Sequence, residues 1–472
     1  MLMKEIGRKS GDFMDKFRIE SDSIGSREVP IDAYYGIQSL RGKENFRISG
    51  HRVHGEMIRA IVEVKKAAAI TNRDVGVIDA RIANAMIAAC DEIIGGMYID
   101  QFIVDAVQGG AGTSLNMNAN EVISNRAIEL LGGKKGDYSI VHPNDHANCA
   151  QSTNDAYPSA GKIAAIRLLC RAISALESLR ASILAKADEY SDVIKMGRTE
   201  MQDAVPISFG QVFTAYADAI ARDIKRFRLA IDELSILNMG GTAIGTGLNA
   251  EPAYIEGIVD NVSLVTGLSL SRASNLIDST QNLDAFVFVS GIVKSSAVSL
   301  SKMANDLRLM SSGPRAGLGE ITLPAKQNGS SIMPGKVNPV IPEVVSQVAF
   351  NVIGNDTTIT MAAEAGQLEL NAFEPIMFYC LFESLDMLAN AAEIFAKDCI
   401  EGIIVNRESC RAEVERSIGI VTALCPKLGY SRSAKIAKRA LAEGRSVRDV
   451  LVEETSLSTD ELDALLDPRA MV

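Results

Sequence analysis

The sequence predicts an all-α protein with a long central bundle and two smaller end domains. Three observations predict it. Apolar residues recur at three- and four-residue spacing over stretches much longer than an average helix, as at Ile166, Leu169, Ile173, Leu176 and Ile183. Glycine pairs close several such stretches, at Gly95-Gly96, Gly132-Gly133 and Gly240-Gly241. The two-residue alternation of strands is weak throughout.

In chain order, residues 1–50 are mixed and turn-rich, with a frayed first dozen and ordered irregular structure around Val29-Pro30 and Tyr34-Tyr35-Gly36. Helical patterning covers 56–69 and, after a turn near Gly76, 78–94. Gly109-Gly110-Ala111-Gly112 opens another helix, with Thr113 and Ser114 near its start and Asn116, Asn118 and Asn120 along its first turns. His142-Pro143-Asn144-Asp145 reads as a loop, and 151–155 (QSTND) as a polar run before a long helix over 158–190. Four more long helices are expected over 207–237, 282–310, 342–361 and 375–399. The predicted domains are 1–152, mainly helical; 153–405, the long-helix bundle with the loop 313–339; and 406–472, small and helical. Phe286-Val287-Phe288-Val289, and Val344-Val345 with Val348-Ala349-Phe350, put apolar residues on more than one helix face. That pattern predicts bundles packing between subunits.

Composition narrows the function. With 47% hydrophobic and 23% charged residues the chain reads as folded rather than disordered. A formal net charge of −11 argues against a nucleic-acid binder. Seven scattered cysteines without a CxxC pair read as reduced thiols of a cytoplasmic protein. The N-terminus has no secretory apolar core, and no apolar run reaches membrane-spanning length, so no membrane partner is expected. Four histidines leave little for a histidine-based metal site, and no metal cluster is visible.

Polar chemistry gathers in four places: Gly112 to Asn116, Ser152-Thr153-Asn154, Gly197 to Asp203, and the Gly/Pro-dense loop 313–339 containing Ser330, Ser331, Lys336 and Asn338. Each is expected at a helix end or in a loop, where unpaired N–H groups and short polar side chains can cradle an anion. Any one of them alone is ordinary capping. Flexible backbone with a single cation, between rigid flanks, suggests a lid over a small anionic ligand.

Residues 329–339 (GSSIMPGKVNP) resemble the signature of the fumarase/aspartase superfamily, as do 109–118 (GGAGTSLNMN), 151–155, 197–206 (GRTEMQDAVP) and 243–249 (AIGTGLN). The resemblance runs from about Glu28 to the C-terminal region. Residues 340–356, 368–384 and 417–424 resemble the aspartase branch. The resemblance implies a three-domain fold whose five-helix bundles form a twenty-helix core in a homotetramer, with each active site built from three subunits. It implies reversible loss of ammonia from L-aspartate to give fumarate, without an organic cofactor; hydration of fumarate to L-malate is the alternative. Metal activation is left open. By the same resemblance Ser330 is the base, and Thr113, Ser152, Thr153 and Ser331 hold the β-carboxylate. Thr199, Lys336 and Asn338 hold the α-carboxylate, with Asn154 and position 200 near the amino group. The family usually has His or Gln at that position; here it is Glu200, a carboxylate that would favour an ammonium neighbour. His142 to Asp145 resemble a second anion site of fumarases and are expected to be a structured turn here.

Overall fold

The computed structural model describes residues 16–472, so the expected frayed first dozen lie outside the described residues. The described residues are 63% helical, with their strands confined to short two-stranded sheets. It divides into two compact units. One gathers the chain up to Arg171 with Phe227–Lys294 and Val352–Asp386; the other gathers Ala172–Arg226, Ser295–Asn351 and Met387–Val472. The division falls inside each of the five long helices, Thr153–Glu189, Phe209–Leu234, Asp284–Met310, Val340–Glu364 and Glu374–Asp398.

In the first unit an antiparallel hairpin, Phe17–Asp22 with Gly25–Pro30, precedes helices Ile37–Asn45, Gly55–Asp74, Ala80–Ile94 and Thr113–Leu130. Ala80–Ile94 starts where the Asp79 carboxylate accepts the Arg81 and Ile82 amides, and it stops at Gly95 and left-handed Gly96. Gly55–Asp74 buries Met57, Ile61, Val64 and Ala68 along one stripe. Each large side chain there contributes about 1.5–3 kcal/mol relative to exposure.

The second unit holds a hairpin, Ile194–Thr199 with Gln202–Ser208, and the C-terminal helices Arg407–Arg416, Tyr430–Glu443, Val447–Glu454 and Thr459–Leu466. Val414, Leu424, Ile436, Val450, Leu451 and Leu462 form a core there that includes Met196 of the hairpin. Ser458 and Glu461 make a reciprocal capping box at the start of the last of these helices.

Several elements differ from expectation: Val29-Pro30, expected to be irregular, end the strand Gly25–Pro30, and helices Ile37–Asn45 and Pro252–Thr266 fall outside the expected helices. The hairpin Ile194–Ser208 is not apparent from alternation, and it places Thr199 at a strand end rather than in a loop. The first long helix begins at Thr153, five residues before its expected start, and carries Pro158 inside it. Pro158 has no N–H for the carbonyl of Asn154, four residues back. The Asn238 side-chain amide donates to that carbonyl instead, at 3.0 Å, so the turn survives the proline.

Long-helix faces divide as their pattern suggests. Phe286, Val289, Val345 and Ala349 are buried, whereas Phe288, Phe350 and Met361 are exposed in the single chain. Asp284–Met310 is apolar and long enough to suit a bilayer, whereas the sequence shows no uninterrupted apolar run of that length. Half of that window is buried inside the chain, as in a bundle core. Lys294 within it pairs with Asp356.

Candidate active site

The first unit holds Thr113, Ser152, Thr153 and Asn154; the second holds Thr199, Glu200, Ser330, Ser331, Lys336 and Asn338.

Thr113 is the first residue of its helix, after Gly112 at φ 89°. A Cβ on Gly112 would lie 2.5 Å from the Tyr157 ring, so glycine is needed there for both space and conformation. The Thr113 hydroxyl donates to the Gly110 carbonyl at 2.6 Å, and it must rotate to serve a ligand. Thr153 is set differently. The Asn116 amide donates to its Oγ1 at 3.1 Å, which leaves the Thr153 hydroxyl proton to point elsewhere. Asn116 also donates to Asn148 Oδ1, which takes Asn120 Nδ2 and, at 2.9 Å, Lys65 Nζ as well. Lys65 is fully buried, and burial pushes its amine down to about 7 against the pull of the Asp155 carboxylate. Asp155 accepts the amides of Ser152, Gly240 and Thr242. Burial still drives its carboxyl up to about 6. Ser152 Oγ accepts the Asn154 amide at 3.2 Å. The Asn154 side chain donates to the Ala243 carbonyl at 2.7 Å, which orients its Oδ1 as an acceptor suited to an ammonium group.

In the second unit Thr199 closes its strand and Glu200-Met201 form the hairpin turn, exposed, with φ of 52° and 65°. Two consecutive left-handed residues make a type I′ turn, normally the province of Asn and Gly. Ser330 sits in the loop with its Oγ accepting two backbone amides, Ile332 at 3.2 Å and Met333 at 3.0 Å. The loop is closed by Gly329, whose amide donates to the Lys336 carbonyl at 2.8 Å. Its own carbonyl accepts one N–H of Asn338 at 2.8 Å, and the second N–H of that amide remains for a ligand. A Cβ on Gly329 would meet the Lys336 carbonyl at 2.5 Å, so no other residue fits this crossing. Lys336 is exposed and, among the described residues, forms no ion pair. Ser331 is exposed in the same loop. Within this unit Thr199 and Glu200 make no hydrogen bond to the Ser330–Asn338 segment among the described residues.

The structure therefore joins Thr153 to the Thr113 helix through Asn116, and Ser330 to Asn338 through Gly329. His142 to Asp145 form the expected structured turn. His142 Nδ1 accepts the Asn144 and Asp145 amides at the start of a π-turn, Pro143–Ala147. His142 and Thr113 line one cavity of about 480 Å³ with Arg41 and Glu121. Glu343 and Glu374 lie in the first turns of their helices, and Glu343 forms no ion pair with Lys336 among the described residues. Sequence reasoning does not single out Asn148, Asn238, Asp155 or Lys65. The signal for Lys65 is present, a lysine on the apolar stripe of Gly55–Asp74. Asn148 and Asn238 act only through three-dimensional neighbours. Among the described residues no three His, Cys, Asp or Glu side chains are grouped to hold a metal ion.

Comparison with known proteins adds an independent line. A family model described as a lyase matches residues 25–354, and one described as the fumarase C C-terminus matches residues 420–472. An aspartate ammonia-lyase of a Bacillus species is 51% identical over 96% of this chain and 97% of its own. A solved fumarate lyase:delta crystallin from Brucella melitensis bound to cobalt superposes with a TM-score of 0.94 at 50% identity, covering 96% of this chain and 99% of that one. A class II fumarase from Schistosoma mansoni superposes with a TM-score of 0.93 at 34% identity, over 96% and 99% of the two chains. The chain belongs to the fumarase/aspartase superfamily of lyases.

Proposed function

We propose that this protein is an aspartate ammonia-lyase, converting L-aspartate reversibly to fumarate and ammonia. The observation that carries the chemistry is Ser330, whose Oγ accepts two backbone amides. A serine hydroxyl is a poor base unless its anion is stabilised, and two fixed N–H dipoles supply that stabilisation. Ser330, as the alkoxide those two N–H groups stabilise, takes the proton from Cβ of aspartate and becomes the neutral hydroxyl. The electron pair of the broken C–H bond moves into the β-carboxylate, giving a dianionic aci-carboxylate. Its collapse forms the carbon–carbon double bond and expels the amine from Cα.

Thr113, Ser152, Thr153 and Ser331 hold the β-carboxylate, where charge accumulates. Thr153 is the best prepared, since Asn116 already occupies its oxygen and its proton is free to donate. Lys336 supplies the positive charge for the α-carboxylate, with Thr199 and the second N–H of Asn338. Asn154 offers its oxygen to the ammonium group, and Glu200 adds an opposite charge there that suits an amine better than a hydroxyl. No organic cofactor takes part. The exposed faces of the long helices support a homotetramer with a twenty-helix core and active sites shared by three subunits. Seven unpaired cysteines suit a reducing compartment and support a cytoplasmic location as part of this reading.

Fumarase activity is the second reading, favoured by the likeness to the Schistosoma fumarase, although identity to the Bacillus ammonia-lyase is higher. A substrate panel separates the two. Fumarate formation is followed by absorbance from L-aspartate and from L-malate, and fumarate consumption is followed with ammonia. Aspartate turnover far above malate turnover is expected. Rapid malate turnover with background aspartate activity overturns the assignment.

A further inference from the structure

Four charges meet where the second unit's hairpin reaches the stem of the signature loop. Glu320 lies in that loop, ten residues before Ser330, and its side chain is completely buried. Its Oε1 receives Arg198 Nη1 at 2.6 Å and Lys195 Nζ at 3.2 Å. The other arm of Arg198 reaches Glu413 at 2.8 Å, on helix Arg407–Arg416. Glu320 cannot drift, because its amide donates to the Met310 carbonyl at 2.9 Å and its carbonyl accepts the Asn406 amide at 2.8 Å. Charge balances, with two cations facing two carboxylates.

Burial of such a cluster is not a cheap route to stability. Desolvating each ion costs several kcal/mol, and well-packed apolar residues usually serve as well. Glu320 Oε2 is also buried without a hydrogen-bond partner. What the cluster does supply is geometry. A guanidinium is a planar fork, and held between two carboxylates on different segments it fixes its own backbone in position and orientation. Arg198 immediately precedes Thr199 and Glu200, which stand exposed at the hairpin tip, and the tip is otherwise held by strand pairing that shifts register between Met196 and Arg198.

We propose that Glu320 and Glu413, acting through Arg198, are positioning residues for the α-carboxylate and amino end of the substrate. The cluster ties the tip bearing Thr199 and Glu200 to the stem of the loop bearing Ser330 and Lys336. Neither Glu320 nor Glu413 touches substrate. The inference rests on the assignment of aspartate as substrate and of Thr199 to its α-carboxylate.

The test uses the full-length enzyme with Glu413→Gln and Arg198→Lys, each removing one arm of the fork, and Glu320→Gln as the more severe change. Two inhibitors report separately on the two ends: alanine keeps the α-carboxylate and amine, and β-alanine keeps the β-carboxylate and amine. In Glu413→Gln and Arg198→Lys the aspartate KM is expected to rise about tenfold while kcat stays within about threefold, the pattern of lost uniform binding. Inhibition by alanine should weaken by a similar factor, and inhibition by β-alanine, which keeps only the amine contact at that end, should weaken clearly less. A fall in melting temperature with KM and both inhibition constants unchanged overturns the proposal, as does equal weakening of both inhibitors. Malate turnover without aspartate turnover in the unsubstituted enzyme sinks the substrate assignment instead. The same comparison then runs with malate, lactate and 3-hydroxypropanoate, and an unequal effect on the last two still supports positioning.

Discussion

Ser330 shows how much one side chain depends on backbone it does not own. The Ile332 and Met333 amides aim at its Oγ because the loop turns back on itself at Gly329 and Lys336. Ser330→Ala keeps that turn and removes the base, so kcat is expected to fall about 10³-fold, with circular dichroism and assembly unchanged; near-normal turnover would remove Ser330 from the mechanism. Lys65 is a different case, a charge-bearing group kept wholly inside. Its amine titrates near 7 when folded, below its ordinary 10.5. Folding therefore favours the neutral amine, and this contribution is complete above pH 10.5 and is lost as pH falls toward about 7. Lys65→Met has no such proton uptake. Relative stability should favour the unsubstituted protein most at high pH and move toward the variant as pH is lowered to about 7, read from urea midpoints. A difference independent of pH would show that Lys65 titrates normally.

At the scale of elements, the first long helix runs through a proline because a side chain 84 residues further along the chain replaces the missing donor. Asn238→Ala withdraws that donor from the Asn154 carbonyl, and it also deserts Thr280 and Ser159. Leaving these groups unpaired should cost about 1–3 kcal/mol for the carbonyl alone. Pro158→Ala restores an N–H to the helix at that point, so the double variant should recover part of the loss. Strict additivity in a double-mutant cycle would show that the two are not coupled. This helix also marks what sequence can and cannot reveal. Its body is legible from apolar spacing, and Gly95-Gly96 and Gly112 mark helix ends correctly. Its start is hidden because Pro158 reads as a boundary when its lost bond cannot be seen to be replaced. The hairpin Ile194–Ser208 is hidden for a related reason: its turn is Glu200-Met201, where the usual Asn-Gly signal is missing. The candidate site residues come from the family pattern alone, whereas Asn148 and Asn238 act through neighbours distant in sequence.

For the whole molecule, the decisive quantity is association. Phe288, Phe350 and Met361 lie exposed on long helices whose opposite faces are already buried. If these faces meet other copies, the native mass is about four times the 50.6 kDa of one chain. Activity should then fall with dilution below the assembly constant, along with the mass seen by light scattering. Full specific activity in a species of monomer mass would overturn shared active sites. Phe350→Glu, on the exposed face, should shift assembly toward smaller species and lower activity in proportion, while the helical content of the chain persists.

The type I′ turn at Glu200-Met201 implies a trade-off between durability and selectivity. A side chain bearing a β-carbon resists the left-handed conformation, and evolution commonly relaxes such a turn with Asn or Gly. Glu200→Asn should therefore raise the melting temperature, by the equivalent of about 0.5–1 kcal/mol, while it weakens the preference for an amine over a hydroxyl. An enzyme selected in the laboratory for heat resistance alone would be expected to lose this carboxylate early. One selected for aspartate turnover would keep it and accept the strain.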